Sequence, residues 1–164
     1  MEITLDELLA SRDARHAMQL QLLAEHPGKT LVCLTVVMPG SVKRNCVSLH
    51  VAHAAVDAMH RTFATDDIVQ RDLNTGYEAY LLTSLPLLSA KQRAVEIEDS
   101  HPLGRLFDID IIDPDGIPVS RERVGAKPRR CLVCNREARY CMRMRWHTQS
   151  EICQAVERIV GDDI

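Results

Sequence analysis

Apolar residues along this chain recur with two periods, and the switches between them mark the elements. Thr4-Leu5-Asp6-Glu7 is a capping-box pattern that opens a helix with Leu5, Leu8 and Leu9 on one side. Ser11-Arg12-Asp13 either restarts the helix or extends it to about His26, where Pro27-Gly28 stops it. Residues 31–38, LVCLTVVM, are short, apolar and β-branched, which predicts a buried strand bounded by Pro39-Gly40. From Asn45 to Phe63, Val47, Val51, Ala54, Ala55, Ala58 and Met59 follow helical spacing. Residues 77–84 read as a second strand after the Asn74-Thr75-Gly76 turn. Residues 87–99 read as a helix, although Val95-Glu96-Ile97-Glu98 also alternates in the manner of a strand. The stretch GRLFDIDI (residues 104–111) is a strand, followed by the turn Asp113-Pro114-Asp115-Gly116 and a partner strand around residues 117–121.

The expected architecture is α+β: a mixed sheet of about four or five strands with flanking helices. The whole of 1–164 makes one domain. Residues 125–164 form a Cys- and Arg-rich subregion closed by a helix from 148 to 160. No apolar run is long enough for a membrane span, and the acidic, amphipathic start MEITLDELLASRDAR resembles neither a secretory signal nor a transit peptide. A cytoplasmic location is expected.

GRLFDIDI carries the first chemistry. Alternate strand residues share a face and lie about 6.6–7 Å apart, so Asp108 and Asp110 point together, opposite Phe107, Ile109 and Ile111. Two carboxylates so placed repel, and a divalent cation between them relieves the repulsion. Mg²⁺ takes one or two protein carboxylates and leaves positions for phosphate oxygens and water. That is the arrangement of nucleotidyl and phosphoryl transferases. A half-exposed strand with solvated aspartates is the competing reading. Gly104 and Arg105 precede the pair, as a flexible backbone and a phosphate-binding fork. Glu96, Glu98, Asp99 and Asp113 are alternatives for a third carboxylate. His101 offers either a contact to substrate phosphate or a loop cap. Pro39-Gly40-Ser41-Val42-Lys43 puts a flexible loop and a lysine after the first strand, where α/β-type proteins often place ligands, with a plain turn as the competing reading.

Charge and cysteines change the picture of the C-terminal part. The net charge is −3, yet residues 121–145 hold nine basic side chains against Glu122 and Glu137, +7 locally and −10 for the remainder. A solvated basic face competes with an anion site for phosphates, nucleic acid or an acidic protein. Aromatic residues are only 4% of the chain, which leaves few stacking platforms for nucleic acid and favours phosphates or an acidic partner. Four of the six cysteines fall in the last 34 residues. Cys131-x₂-Cys134-x₆-Cys141-x₅-His147 supplies the Cys₃His set of a structural zinc site, with reduced, packed cysteines as the alternative. Cys33, Cys46 and Cys153 read as structural.

Taken together, Ser11-Arg12-Asp13-Ala14-Arg15, Val36-Val37-Met38-Pro39-Gly40 with Lys43, the block His101-Pro102-Leu103-Gly104-Arg105-Leu106-Phe107-Asp108-Ile109-Asp110, Ser120-Arg121 and Pro128-Arg129-Arg130-Cys131-Leu132-Val133-Cys134 resemble the apo-citrate lyase phosphoribosyl-dephospho-CoA transferase family. The resemblance implies a nucleotidyltransferase. Such enzymes move phosphoribosyl-dephospho-CoA from 2′-(5″-triphosphoribosyl)-3′-dephospho-CoA to a serine of the acyl-carrier (gamma) subunit of citrate lyase and release pyrophosphate. It also implies a relationship to polymerase-β-like nucleotidyltransferases, whose Gly-Ser before the aspartates is Gly104-Arg105 here. Under this reading Asp108 and Asp110 hold Mg²⁺ and Arg105 meets the triphosphate. Arg12, Lys43, Arg121, Arg129 and Arg130 contact phosphate or carrier. The rival class is a non-enzymatic zinc module that binds nucleic acid through its basic tail.

Overall fold

The computed structural model describes residues 1–65 and 67–161. The elements run α1 (Leu5–Glu25), β1 (Thr30–Val36), α2 (Cys46–Phe63), β2 (Ile68–Leu73), β3 (Gly76–Thr83), α3 (Leu87–Ser100), β4 (Phe107–Ile112), α4 (Ala138–Met144) and α5 (Gln149–Val160). Short 3₁₀ turns occupy Gly104–Leu106 and Arg121–Val124. Thr4 caps α1 with Glu7 returning to the cap, as expected, and Asn45–Ser48 and Thr148–Glu151 build the same reciprocal box on α2 and α5.

The four strands form one sheet in the order β2-β3-β1-β4. The fold is α+β with flanking helices, as expected, but every pairing is antiparallel where a mixed sheet was expected. The reason lies in the connections. The crossover through α2 sets β2 parallel in direction to β1. The tight β2–β3 hairpin then folds β3 into the gap, so the two parallel strands never become neighbours. Strand β2, IVQRDL, was missed because it is a polar edge strand with no fully buried residue. The partner strand expected at 117–121 shrinks to a bridge between Ile112 and Pro118, since Pro118 has no N–H to extend a ladder.

One sheet face carries Val32, Leu34, Ala79, Leu81, Phe107, Ile109 and Ile111. It packs on Val51, Ala55 and Met59 of α2, on Ala90, Ala94 and Ile97 of α3, and on Val156 and Val160 of α5. The other carries Leu31, Cys33, Tyr80 and Ile112 beneath Met18, Leu22 and Leu23 of α1. So it is the second half of α1 that packs. Leu5 and Leu9, read as the start of its apolar side, are largely exposed because the first half overhangs the polar end of the sheet.

Gly104 sits where the C-terminus of α3 meets the chain entering β4. A Cβ there would lie 2.3 Å from the carbonyl oxygen of Glu98 and 2.8 Å from that of Ile97. Close backbone approach, rather than the flexibility read from the sequence, demands glycine at this position. Gly104→Ala is expected to destabilise the fold by about 1–3 kcal/mol through overpacking. Urea unfolding checks this, and a wild-type midpoint would show that the backbone gives way freely.

Candidate functional site

The antiparallel register lines up polar side chains in rows across the face that α1 only half covers. Arg71 of β2 pairs with Glu78 of β3, Glu78 with Thr35 of β1, and Thr35 with Asp108 of β4. The neighbouring row runs Val69, Tyr80, Cys33, Asp110. Alternation therefore does place Asp108 and Asp110 together, away from the main core.

Asp108 is half-exposed and held at both oxygens: Thr35 Oγ1 donates to one at 3.2 Å and an Arg129 guanidinium nitrogen to the other at 3.1 Å. Asp110 makes no hydrogen bond or ion pair with a described residue. Burial pushes its carboxyl above the ordinary range and the charge of Asp108 pushes it further, against the pull of Lys91, Arg129 and Arg15.

The outer edge of β4 has no neighbouring strand, and two charged side chains take the place of one. The Ile109 N–H donates to Glu98 at 2.9 Å, and Arg129 donates to the Phe107 carbonyl. The second Glu98 oxygen accepts from Arg121 at 2.8 Å, and Arg121 also holds Asp99 through both oxygens. Burial pushes the Glu98 carboxyl up, opposed by Arg129, the Ile109 N–H, Lys91 and Arg121. Lys91 of α3, itself buried, thus acts on both Glu98 and Asp110.

Of the alternatives for a third carboxylate, Glu98 and Asp99 are occupied by arginines, Asp113 accepts the N–H groups of Asp115 and Ile117 in its turn, and Glu96 is exposed on α3. The carboxylate that the sheet brings to this face is Glu78. It is 2% exposed and partnered by Tyr80 Oη at 2.7 Å, Arg15 at 3.3 Å and Arg71 at 3.5 Å. Its signal was a lone acid in the otherwise apolar strand GYEAYLLT. An open cleft of about 330 Å³ runs from Glu78 and Arg71 to Ser11, Ala14 and Thr75 between α1 and the β2–β3 hairpin.

The other expected residues scatter. Arg105 turns its guanidinium to the Arg130 and Cys131 carbonyls. Arg12 is exposed on α1, where Arg15 is the arginine that reaches the sheet. Lys43 Nζ donates to the Met38 carbonyl at 2.6 Å, and burial lowers its pKa. Arg130 is exposed in a bridge with Glu137. His101 caps its own loop, its Nδ1 accepting the Leu103 N–H at 3.0 Å, and its ring lies against Phe107 on the core side, away from the aspartates. Cys33 is buried beside Gln19, and burial pushes its thiol up to about 12, in keeping with a structural thiol. The donor atoms of Cys131, Cys134, Cys141 and His147 do converge, all within 4.8 Å of one another.

A family model described as apo-citrate lyase phosphoribosyl-dephospho-CoA transferase matches residues 3–163. The chain belongs to that family. A Streptococcus pyogenes protein named probable apo-citrate lyase phosphoribosyl-dephospho-CoA transferase is 35% identical over 164 residues, covering 96% of this chain and 85% of its own. An Escherichia coli protein named apo-citrate lyase phosphoribosyl-dephospho-CoA transferase is 36% identical over 166 residues, covering 98% and 90% respectively. No helix of the described residues is long and apolar enough to cross a membrane.

In this transferase-family chain the raised Asp110 carboxyl has a measurable consequence. A carboxyl held above its unfolded value keeps its proton longer when folded, so stability falls as pH rises from the unfolded value through the folded one. In metal-free protein, Asp110→Asn is expected to match wild type below the carboxylate range and to exceed it in stability at neutral pH. Urea unfolding across pH reads this, and a gap that stays constant with pH would show that ionised Asp110 is not strained.

Proposed function

We propose that the protein transfers phosphoribosyl-dephospho-CoA from 2′-(5″-triphosphoribosyl)-3′-dephospho-CoA to a serine of the citrate lyase acyl-carrier subunit, with release of pyrophosphate. Family membership supports the transferase class. The observation that carries the site is the pair Asp108 and Asp110 on one face of β4, the first clamped by Thr35 and Arg129 and the second without a hydrogen-bond or ion-pair partner among the described residues.

The donor set fits Mg²⁺. Two carboxylates share a face, and the one whose ionisation is opposed has no internal cation bonded to it. Asp108 and Asp110 are the residues that would hold the ion, which when bound supplies charge neutralisation at the polyphosphate. Thr35 and Arg129 fix the Asp108 carboxylate in orientation, so little reorganisation is needed when substrate arrives. In the transfer, the carrier serine gives up its hydroxyl proton to water as its oxygen bonds to the α-phosphorus, the bond from that phosphorus to the oxygen bridging to the β-phosphorus breaks, and that oxygen departs with pyrophosphate. Arg129, ion-paired with Asp108 at 3.1 Å, is in this reading the guanidinium that would meet the developing charge.

The carrier-facing surface in this reading is the C-terminal segment. Arg139, Arg143 and Arg145 are exposed there beside the exposed apolar residues Tyr140, Met142, Met144 and Trp146. An acidic carrier complements such a surface in charge, and the apolar residues offer contact area.

Incubation of the protein with apo carrier, triphosphoribosyl-dephospho-CoA and Mg²⁺, read by intact mass, tests the proposal. The wild type is expected to add the prosthetic group. Asp108→Asn and Asp110→Asn are expected to lower the rate by about 10²–10³-fold or more, the scale seen when a group stabilising transition-state charge is lost. Near-wild-type transfer by either variant would sink the metal assignment, and no mass addition with wild-type protein would sink the substrate assignment.

A further inference from the structure

Residues 125–148 hold together with almost no apolar core. The only buried side chains among them are Cys131 and Cys141, and both point into the same cluster as Cys134 and His147. We propose that these four side chains bind one structural zinc ion, and that the ion anchors the arginine lacing between this segment and β4.

The geometry is that of a ligand shell. Cys134 Sγ lies 3.5 Å from Cys141 Sγ and 3.3 Å from His147 Nε2. The sulfur–sulfur separation is too long for a covalent disulfide, and the sulfur–nitrogen one is of ligand-edge length. They approach the roughly 3.8 Å edge between sulfurs of a tetrahedral zinc site with bonds near 2.3 Å. The backbone around the Cys131-x₂-Cys134 turn is shaped accordingly. Cys131 N–H donates to Arg136 at 2.8 Å and Ala138 N–H to Arg129 at 2.8 Å, closing a small ribbon, and the Val133 N–H points at Cys131 Sγ at 3.5 Å. Cys141 comes from α4, and His147 directly precedes Thr148, the cap of α5. One ion would tie the ribbon, α4 and the start of α5, three pieces that share little buried apolar surface. A bound metal supplies folding energy where a small core does not.

The ribbon is also laced to β4 in both directions. Arg105, just before β4, donates to the Arg130 and Cys131 carbonyls in the ribbon. Arg129, at the ribbon's start, reaches back to the Arg105 and Phe107 carbonyls and to Asp108. Fixing Cys131 therefore fixes the backbone that Arg105 grips and the residue two positions earlier that clamps Asp108. The anchoring half of the proposal deepens the transferase reading, whereas the zinc itself stands apart from it.

The test uses full-length, untagged protein purified under reducing, chelator-free conditions, with neither substrate nor carrier present. Elemental analysis is expected to find one zinc per chain, and cobalt exchanged for zinc to show the visible bands and thiolate charge transfer of a tetrahedral thiolate-rich site. Cys134→Ser is expected to lose the metal, while Cys46→Ser and Cys153→Ser keep it. Wild-type protein without stoichiometric metal, or with a Cys134–Cys141 disulfide in its place, would overturn the site, as would a cobalt spectrum lacking thiolate character. Hydrogen exchange on the zinc-bound protein and after zinc is stripped reads the anchoring. Amides of 105–108 and 129–131 are expected to lose protection together while β1 and β3 keep theirs. Unchanged exchange at 105–108 would overturn the anchoring and leave the zinc. Because no turnover is measured, failure of the transfer assay has no bearing on these outcomes.

Discussion

The outer edge of β4, buried yet without a neighbouring strand at Phe107 and Ile109, is the constraint around which the rest is arranged. β4 is the last strand of the sheet; the Val119 N–H reaches the Ile111 carbonyl, but the outer Phe107 C=O and Ile109 N–H need partners that no backbone segment supplies. Glu98 accepts from Ile109 and Arg129 donates to Phe107. Because both substitutes are ionisable side chains drawn out of water, each is matched by an oppositely charged group. Arg121 serves Glu98, and Asp108 serves Arg129. This one requirement therefore draws together the end of α3, the 3₁₀ turn Arg121–Val124, the C-terminal ribbon and the first catalytic candidate. It also explains the tight approach at Gly104, since α3 must end against the chain entering β4 for Glu98 to reach.

Glu78 and Asp110 show how differently one sheet face treats two acids. Glu78 is sealed in and matched by a phenol and two guanidinium groups. Asp110 lies two strands away with no bonded partner among the described residues, its ionisation opposed by burial and by Asp108. A chain able to neutralise one carboxylate so completely has residues available to neutralise the other. Leaving it unmatched costs stability and is the kind of local inconsistency that marks a functional position.

Sequence pattern was most legible where one period dominates. The capping box of α1, the apolar run of β1, the helical spacing of α2 and the alternation in β4 all appear near their expected places. It was least legible where polar residues do structural work across long separations. Nothing in IVQRDL announces a strand until β3 pairs with it, and the apolar start of α1 carries no mark that the helix overhangs the sheet. The shared face of Asp108 and Asp110 follows from alternation alone. The partners of Asp108 do not: Thr35 lies 73 residues and Arg129 21 residues away in sequence, and only the register and the ribbon bring them in. The Cys₃His set was readable because its spacing is local.

The basic segment shows why a charge count is a poor guide to what a surface offers. Of its nine basic residues, Arg121 and Arg129 are consumed inside the molecule, and Arg136 lies over the Trp146 ring at 4.4 Å. All three roles suit arginine better than lysine. Arg121 spans two carboxylates and a carbonyl, and Arg129 spans one carboxylate and two carbonyls, which a planar fork of five donors can do and a single ammonium cannot. The arginine richness that suggested an anion site is thus partly the signature of backbone lacing. What remains for an external anion is the exposed set Arg123, Lys127, Arg130, Arg139, Arg143 and Arg145. That set lies on and beside the 3₁₀ turn, the ribbon and α4, so the internal arginines are spent on holding β4, Glu98 and Asp108, and the exposed ones face solvent.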